Sequence, residues 1–278
     1  MKETLNDTMM GKICLVTGAT NGIGKATAQA LAQMSATVVI VGRNPAKCAA
    51  VVSEIKHSSG NDAVEARIAD LSIMAEVQHV ADQFKAKYQQ LHVLVNNAGG
   101  AFLKRQVTAE GFEKTFALNH LNSFLLTSLL LDTLKASAPA RIVNVSSAGQ
   151  APINFLDVML EQNYDGVQAY CQSKLALVMF TFDLAEELAG TGVTANCLHP
   201  ATYMPTKMVL AARGSSVSTI EEGVQATTHL ITAPELDQIS GCYFNGLREA
   251  RAESQAYDRQ ARRQLRQLSE QLTGLTGS

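Results

Sequence analysis

A glycine-rich turn near the start of the chain restricts the fold more than any other feature of the sequence. The apolar run Ile13–Val16 leads into TGATNGIG at residues 17–24, and a helix-forming stretch follows from Lys25 to Met34. A strand, a glycine turn and a helix in this order predict the start of an α/β dinucleotide-binding fold. The glycines permit a tight bend and a close approach to a pyrophosphate, which the helix amides face. The predicted contact residues are Gly18, Thr20, Asn21, Gly22, Ile23 and Gly24. A structural turn without a ligand is the alternative.

Composition and charge narrow the class of ligand. The chain has 278 residues and a formal net charge of −2, and only 17% of its residues are charged. This length fits one α/β domain over residues 1–278, and the charge provides no basic footprint for nucleic acid. We therefore expect a small neutral-to-anionic ligand. The first eleven residues contain no long apolar run, so we expect neither a signal peptide nor a membrane span.

The five cysteines are scattered along the chain and form no C-x-x-C pair. An odd number of isolated cysteines is typical of reduced thiols. We therefore expect a cytoplasmic protein that holds no metal.

The end of the second predicted strand bears on the choice between NAD and NADP. The β-branched run Thr37–Val41 is typical of a parallel strand covered on both faces, and Gly42 and Arg43 follow it. An acidic residue at this position binds the ribose 2′-OH of NAD, whereas an arginine accommodates the 2′-phosphate of NADP. The sequence therefore favours NADP, with Arg43 as a solvated loop residue the alternative.

The third predicted strand, residues 63–71, ends at Asp70 and Leu71. An aspartate at this point has two interpretations: it binds the adenine edge of the ligand, or it caps the next helix. The residues themselves leave both open. A fourth predicted strand, starting at residue 91, ends in Asn96-Asn97-Ala98-Gly99, where small residues let backbone lie against a flat ligand.

Two later segments place polar residues among apolar ones. Asn119 lies within a predicted helix at residues 109–136, and a buried amide there needs a hydrogen-bond partner. It is either a structural asparagine or part of a site. Ser146 and Ser147 end a fifth predicted strand, at the sheet edge where α/β proteins bind ligands. Either serine fits a turn or cap as well.

Tyr170 and Lys174 open a predicted apolar helix that extends to Leu188. Residues four apart share one helix face, so the phenol and the ammonium meet at one ligand. An adjacent cation lowers the pKa of a phenol, which suits it to proton transfer. Tyr203 and Lys207 repeat the spacing, but Pro205 between them disfavours a helix.

These motifs, taken in order over residues 12–246, resemble the short-chain dehydrogenase/reductase family. The shared patterns are Thr-Gly-x-x-x-Gly-x-Gly, Asn-Asn-Ala-Gly, an asparagine inside the following helix (Asn119), Val-Ser-Ser and Tyr-x-x-x-Lys. The resemblance implies an α/β Rossmann fold with a doubly wound, mostly parallel sheet of about seven strands and helices on both faces. The 22 residues between Ser147 and Tyr170 resemble the longer insertion of retinol-dehydrogenase-like members.

The resemblance also implies roles for individual residues. Tyr170 exchanges the proton on the substrate oxygen, Ser147 orients that oxygen, and Lys174 binds the nicotinamide ribose and tunes Tyr170. Asn119 positions Lys174, and Asp70 meets the adenine. Residues implied to bind the cofactor further include Leu71, Asn97, Ala98, Gly99, Pro200 and Thr202. Ala201 stands where the family usually has glycine.

The activity implied is hydride transfer between NADP(H) and a small carbonyl or alcohol substrate, with NAD as a second cofactor. Apolar helices at Leu125–Leu134 and Leu175–Leu188 pair between subunits in the family, which implies a homodimer or homotetramer. We further expect a substrate lid at residues 201–218, or a mere surface connection there, and an amphipathic helical tail at residues 250–275. The competing hypotheses are a non-catalytic dinucleotide-binding sensor and a nucleotide-binding methyltransferase.

Overall fold

The structure is a computed structural model that describes residues 8–202, 204 and 214–275. Its strands are β1 (Ile13–Thr17), β2 (Thr37–Gly42), β3 (Val64–Ile68), β4 (Val93–Asn96), β5 (Ala140–Val145), β6 (Val193–His199), β7 (Tyr243–Asn245) and β8 (Arg248–Ala250). Its helices are α1 (Gly22–Gln33), α2 (Pro45–Ser59), α3 (Met74–Lys87), α4 (Lys114–Phe116), α5 (Asn122–Ala136), α6 (Gly166–Glu187), α7 (Ile220–Thr232) and α8 (Arg259–Thr273). A π-helical turn at Ala117–Leu121, here the π turn, joins α4 to α5, and 3-10 turns lie at Pro234–Leu236 and Ser254–Tyr257.

The described strands form one sheet in the order β3-β2-β1-β4-β5-β6-β7-β8. Strands β1 to β7 are parallel, and β8 is antiparallel to β7. The chain moves outward from β1 to β3 and then returns to place β4 on the other side of β1. The strand order therefore reverses between β1 and β4, and α/β proteins bind ligands outside the carboxyl ends of strands at such a point.

The sheet is covered on both faces, as the continuous apolar strands predict. Along β1, Leu15 enters one core while Cys14 and Val16 enter the other, because successive strand side chains point to opposite faces. Helices α3, α5 and α6 contribute to the first core, and α1, α2 and α7 contribute to the second. This is the doubly wound α/β architecture expected from the sequence.

The structure corrects several predicted boundaries. Residues 109–113 do not begin the long helix, because Val107 and Glu113 form an isolated antiparallel bridge there and α4 starts at Lys114. The third strand ends at Ile68, before Asp70. The sheet has eight strands instead of about seven, because Arg248–Ala250 adds an antiparallel edge strand.

The predicted tail forms a 3-10 turn and α8, and both pack on the body of the protein. Leu265 is buried in the same core as α5 and α6, and the Tyr257 ring lies 5.4 Å from that of Phe182. The 3-10 turn also holds the long insertion before α6, since Gln255 exchanges two hydrogen bonds with the backbone of Ile153.

Parts of two further predictions lie outside the described residues. Within the predicted lid at 201–218, residues 203 and 205–213 are not described, and the Tyr203–Lys207 pair falls in that range. Across the ranges that the structure does describe, none of the helices combines the length and the apolar character needed to span a bilayer.

Candidate active site

The glycine turn lies against the loop after β4 at the point where the strand order reverses. Gly18 has a φ of +65°, and a Cβ atom there would lie 2.7 Å from Ala98 Cα. A Cβ atom at Gly24 would lie 2.3 Å from Asn97 Nδ2. Side chains at either position would push the two loops apart, so both glycines are required for their close approach.

Thr17 holds this pair of loops together, a role that the sequence analysis did not assign. Its hydroxyl oxygen accepts hydrogen bonds from the backbone amides of Asn97 at 2.9 Å and Ala98 at 3.0 Å. The Asn97 side-chain amide in turn donates to the carbonyls of Thr17 at 2.8 Å and Gly18 at 3.2 Å. The threonine that precedes the first glycine was the available signal for this contact.

The start of α1 is free to bind an anion. Asn21 occupies the N-cap position but makes no side-chain capping hydrogen bond, whereas α2, α6, α7 and α8 all have side-chain caps. Gly22, the first helical residue, has a φ of +55°. Amides without a side-chain cap, beside a tight backbone turn, fit the pyrophosphate of a dinucleotide.

At the end of β2, Gly42 is closely surrounded by other side chains, whereas the next residue, Arg43, is charged and exposed. A Cβ atom at Gly42 would lie 2.4 Å from the methyl carbon of Thr20 and 2.8 Å from Cys48 Sγ, so an acidic side chain has no room there. Arg43 is exposed and, within the described part of the chain, forms no salt bridge. Its guanidinium is therefore available to a phosphate.

Asp70 is not the cap of α3. Its Oδ1 accepts hydrogen bonds from the amide and hydroxyl of Ser72, at 3.0 and 2.7 Å, which closes a local turn. Glu110 caps the helix instead, since its carboxylate accepts from the amides of Met74 and Ala75. Burial raises the pKa of Asp70, but the Ser72 hydrogen bonds and the Arg43 charge outweigh it, so that the pKa is lowered. Leu71 is buried in the core.

The structure separates the two serines that follow β5. Ser146 is buried, and its hydroxyl donates to the carbonyl of Lys174 at 2.8 Å, so it fastens α6 to the sheet. Ser147 is partly exposed, and its hydroxyl accepts from the amide of Gly149 at 3.0 Å. The Ser147 hydroxyl also interacts with the Tyr170 phenol. Ser147 is therefore the serine that faces the tyrosine, and its catalytic role stays a prediction.

Lys174 is a buried cation on the same face of α6 as Tyr170. Its Nζ lies 5.9 Å from the centroid of the Tyr170 ring and donates to the carbonyl of Val145 at 2.8 Å. Among the described residues, no carboxylate forms an ion pair with it. Burial lowers the pKa of Lys174 to about 8. A buried ammonium with unused donors fits the hydroxyls of a ribose.

The pKa of Tyr170 differs in direction from the sequence-based expectation. Burial of the phenol raises the pKa of Tyr170, and the lowering contribution of the Ser147 hydroxyl is smaller. We expected Lys174 to lower this pKa, but its Nζ is held by the Val145 carbonyl at the end of β5. In the free protein the phenol therefore keeps its proton at neutral pH.

Asn119 lies in the π turn and is fully buried. Its Oδ1 accepts from the Gly100 amide at 2.8 Å, and its Nδ2 donates to the Gly100 carbonyl at 2.9 Å and to Ser173 Oγ at 2.8 Å. Gly99 lies between the Asn119 amide and the Lys174 ammonium. A Cβ atom at Gly99 would be 3.1 Å from Asn119 Oδ1 and 3.2 Å from Lys174 Nζ. Asn119 thus holds Gly100 and Ser173, which are next in sequence to Gly99 and Lys174.

The segment after β6 lies at the same end of the sheet. Pro200 is buried, and the exposed Thr202 hydroxyl is 3.1 Å from Nε2 of His199, the last residue of β6. Burial lowers the pKa of His199. Of the other predicted contact residues, Ile23 is partly buried near Gly223. No group of three or more His, Cys, Asp or Glu side chains suited to a metal occurs in the described residues.

An α/β sheet with this glycine turn, an uncapped α1 and a Tyr-Lys pair with a buried lysine at the strand ends defines a Rossmann-type oxidoreductase. Residues 12–215 match the short chain dehydrogenase family. The chain is 40% identical to human retinol dehydrogenase 12, over 97% of this chain and 89% of that protein. The chain therefore belongs to the short-chain dehydrogenase/reductase family and is similar to the retinol dehydrogenases within it.

Two solved structures share the fold. A protein from Mycobacterium paratuberculosis superposes with a TM-score of 0.80 and 30% identity, covering 95% of this chain and 94% of that one. A short chain dehydrogenase from Shigella flexneri, solved in complex with NADP, has a TM-score of 0.71 and 25% identity, covering 87% and 100%. Membership of this family makes the chain an oxidoreductase that acts on CH–OH groups of small molecules with NAD(P).

Proposed function

We propose that the chain is an NADP(H)-dependent enzyme that interconverts a carbonyl compound and its alcohol through Ser147, Tyr170 and Lys174. The observation that carries this proposal is the buried Lys174 ammonium, 5.9 Å from the Tyr170 ring and without an acidic partner among the described residues. A buried cation is costly unless a ligand or another polar group satisfies it. Ribose hydroxyls supply such partners.

Each side chain has a separate task in this mechanism. The nicotinamide, when bound, supplies or accepts the hydride. Tyr170 donates its phenolic proton to the substrate oxygen during reduction and takes it back during oxidation. Ser147 donates a hydrogen bond to the same oxygen and fixes its orientation. Lys174 binds the ribose and stabilises the phenolate that forms when Tyr170 has given up its proton.

Two contacts near β2 support NADP over NAD. The 2′-OH of NAD needs an acidic residue at the strand end, and the Thr20 methyl and Cys48 sulfur leave no space for one at Gly42. Arg43 is exposed, has no salt bridge among the described residues and is close enough to Asp70 to lower the pKa of that carboxyl. The NADP complex of the Shigella flexneri relative gives further support.

The Tyr170 pKa bears on the proton that reduction consumes, whereas the substrate and the cofactor pair set the equilibrium between carbonyl and alcohol. A phenol with a raised pKa holds its proton, and the protonated form is the one that reduction requires. The name of the 40% identical relative suggests apolar substrates such as retinoids. We further propose that the chain works in a reducing compartment such as the cytoplasm, which is supported by its five free cysteines.

A substrate screen tests the proposal. Aldehydes and ketones, including retinal, are incubated with NADPH and the protein, and the loss of NADPH absorbance is followed. With the best substrate, Tyr170→Phe should lower kcat by about 10² to 10⁴-fold while NADPH affinity, measured by fluorescence titration, stays unchanged. Tyr88→Phe, at the end of α3, is the matched control and should keep wild-type kcat. Full turnover by Tyr170→Phe would overturn the proposal.

A further inference from the structure

A buried hydrogen bond joins the π turn to the last helix of the chain. Nε2 of His120, in the π turn, lies 2.8 Å from Oγ of Ser269 on α8, and both residues are fully buried. The two residues are 149 positions apart in the sequence. Within the described part of the chain, no hydrogen bond joins either side chain to Ser147, Tyr170 or Lys174, so the mechanism above does not use this contact.

The direction of the hydrogen bond follows from the other partner of Ser269. Its hydroxyl also lies 2.8 Å from the carbonyl of Leu265, which can only accept. A hydroxyl has a single hydrogen, so Ser269 donates to Leu265 and accepts from the Nε2–H group of His120. Burial lowers the pKa of His120 to about 3. The ring is therefore neutral at neutral pH, and Nε2 carries the hydrogen that it donates to Ser269.

Aromatic neighbours hold the His120 ring in the orientation that this hydrogen bond requires. Its centroid lies 5.0 Å from that of Phe116, 6.2 Å from that of Phe124 and 6.3 Å from that of Phe180. The first two belong to the helical segments on either side of the π turn, and the third belongs to α6. A rotation of the π turn would break the packing and the hydrogen bond together.

The residue next to His120 is Asn119, which holds Gly100 and Ser173. Consecutive residues in a helical turn project in different directions, so one turn is anchored on two sides: His120 to α8, and Asn119 to the loop after β4 and to α6. A π turn carries one residue more per hydrogen-bonded ring than an α-helix and persists only where its surroundings favour it. Shifting to α-helical register would withdraw Asn119 from Gly100.

We propose that His120 and Ser269 are positioning residues that keep the π turn in register, so that Asn119 holds the Gly99–Gly100 and Ser173–Lys174 segments in place for catalysis. This inference rests on the proposed function of Lys174. It assigns the C-terminal helix a part in the active site, although α8 contributes no side chain to the Tyr-Ser-Lys group.

The test compares four variants. Ser269→Ala removes the acceptor, and His120→Leu removes the donor while keeping an apolar side chain of similar size. His120→Gln places an amide nitrogen near the position of Nε2 and should restore part of the function. Thr273→Ala is the matched control, because it removes an α8 hydroxyl that bonds only to the carbonyls of Ser269 and Glu270 within that helix.

Kinetics and hydrogen exchange give independent readouts. We expect Ser269→Ala and His120→Leu to lower kcat about tenfold, the change expected from one lost hydrogen bond, with little change in the KM of the carbonyl substrate. Amide exchange should speed up at residues 98–101 and 117–121, with Thr273→Ala unchanged there. Wild-type kcat in Ser269→Ala, or faster exchange confined to α8, would overturn the inference. The exchange readout needs no turnover, so it stands even if the proposed reaction fails.

Discussion

Burial changes the pH range over which the Lys174 side chain is charged. It is buried, its pKa is lowered to about 8, and its hydrogen-bond partner is a backbone carbonyl. An ordinary lysine stays charged to above pH 10, whereas this one loses its charge as the pH rises through about 8. The neutral form lacks the cationic attraction for the ribose and for the Tyr170 phenolate.

This shift predicts a pH dependence for cofactor binding. Between pH 7 and pH 9.5 we expect the NADPH dissociation constant of the wild type to rise by about an order of magnitude, because the charged fraction of Lys174 falls over this range. Lys174→Ala should bind NADPH weakly and with little pH dependence. Fluorescence titrations at each pH measure both. A wild-type constant that does not vary across the range would contradict the assignment of Lys174 to the ribose.

Arg43 determines the cofactor preference in the proposed function. In that proposal its guanidinium would make a charge-assisted hydrogen bond to the 2′-phosphate worth about 1.5 to 3 kcal/mol, so Arg43→Ala should raise the NADPH dissociation constant by roughly 10 to 150-fold. NADH affinity should be unaltered, since NADH lacks that phosphate. Lys12→Ala, at a half-buried position beside β1, provides a control. Equal wild-type affinities for NADPH and NADH would show that the preference does not exist.

Among the elements, α3 is capped at its first residues by a side chain from a distant loop. Glu110 accepts hydrogen bonds from the amides of Met74 and Ala75, at 2.9 and 3.2 Å. This contact ties the start of α3, which follows the edge strand β3 and Asp70 in the chain, to the loop before α4.

The loss of this cap should be measurable as stability. Glu110→Ala should lower the free energy of unfolding by about 1 kcal/mol, the usual cost of losing a helix cap, as measured by denaturant titration. Glu161→Ala, in the exposed insertion before α6, should leave stability near the wild-type value. If the two variants are equally stable, Glu110 does not cap the helix in solution.

Local patterns predicted most of the elements but not the π turn. The β-branched run of β2 and the glycine turn before α1 specify their own structure, because burial on both faces and tight bending depend on nearby residues. The π turn instead depends on contacts of Asn119 with Gly100 and Ser173, and of His120 with Ser269, which are distant in sequence. Sequence periodicity over residues 109–136 therefore indicated only a continuous helix.

The predicted site residues were easier to recognise than their electrostatics. Tyr170, Lys174 and Ser147 follow ordered motifs, and the structure brings them together. The direction of the Tyr170 pKa was wrong, because spacing shows that a cation is close but does not show how deeply the phenol is buried. β8 was missed because its three residues, with Arg248 and Glu249, show no strand periodicity.

At the scale of the whole molecule, α8 alters the reasoning about subunits. The prediction of a dimer or tetramer relied on the apolar character of Leu125–Leu134 and Leu175–Leu188 and on the pairing of the corresponding helices in the family. In the structure, Leu265 of α8 is buried in the same core as α5 and α6, and Arg262 and Arg266 form salt bridges with Glu186, Asp183 and Glu187 on α6. The chain thus covers part of the α6 face with its own last helix. The oligomeric state stays a prediction.

Removing α8 should therefore change self-association. A chain that ends at residue 258 exposes the apolar residues of α6 and the π turn against which α8 packs, so light scattering at micromolar concentration should show a larger particle than for the full chain. Arg266→Ala in the full chain is the control, since it loses surface ion pairs but keeps the apolar cover. Identical particle sizes for the truncated and full chains would contradict this role of α8.

The position of α8 after the sheet in chain order has a consequence for biosynthesis. A ribosome makes residues 259–273 after all the strands and after α6, so the sheet, the glycine turn and α6 can form before the helix that anchors the π turn exists. A nascent or prematurely terminated chain then has the binding loops but an unanchored Asn119 and an exposed apolar surface, which chaperones and proteases recognise. By the proposal above, enzymatic competence would thus be acquired only after α8 has been made, later than the sheet and the binding loops.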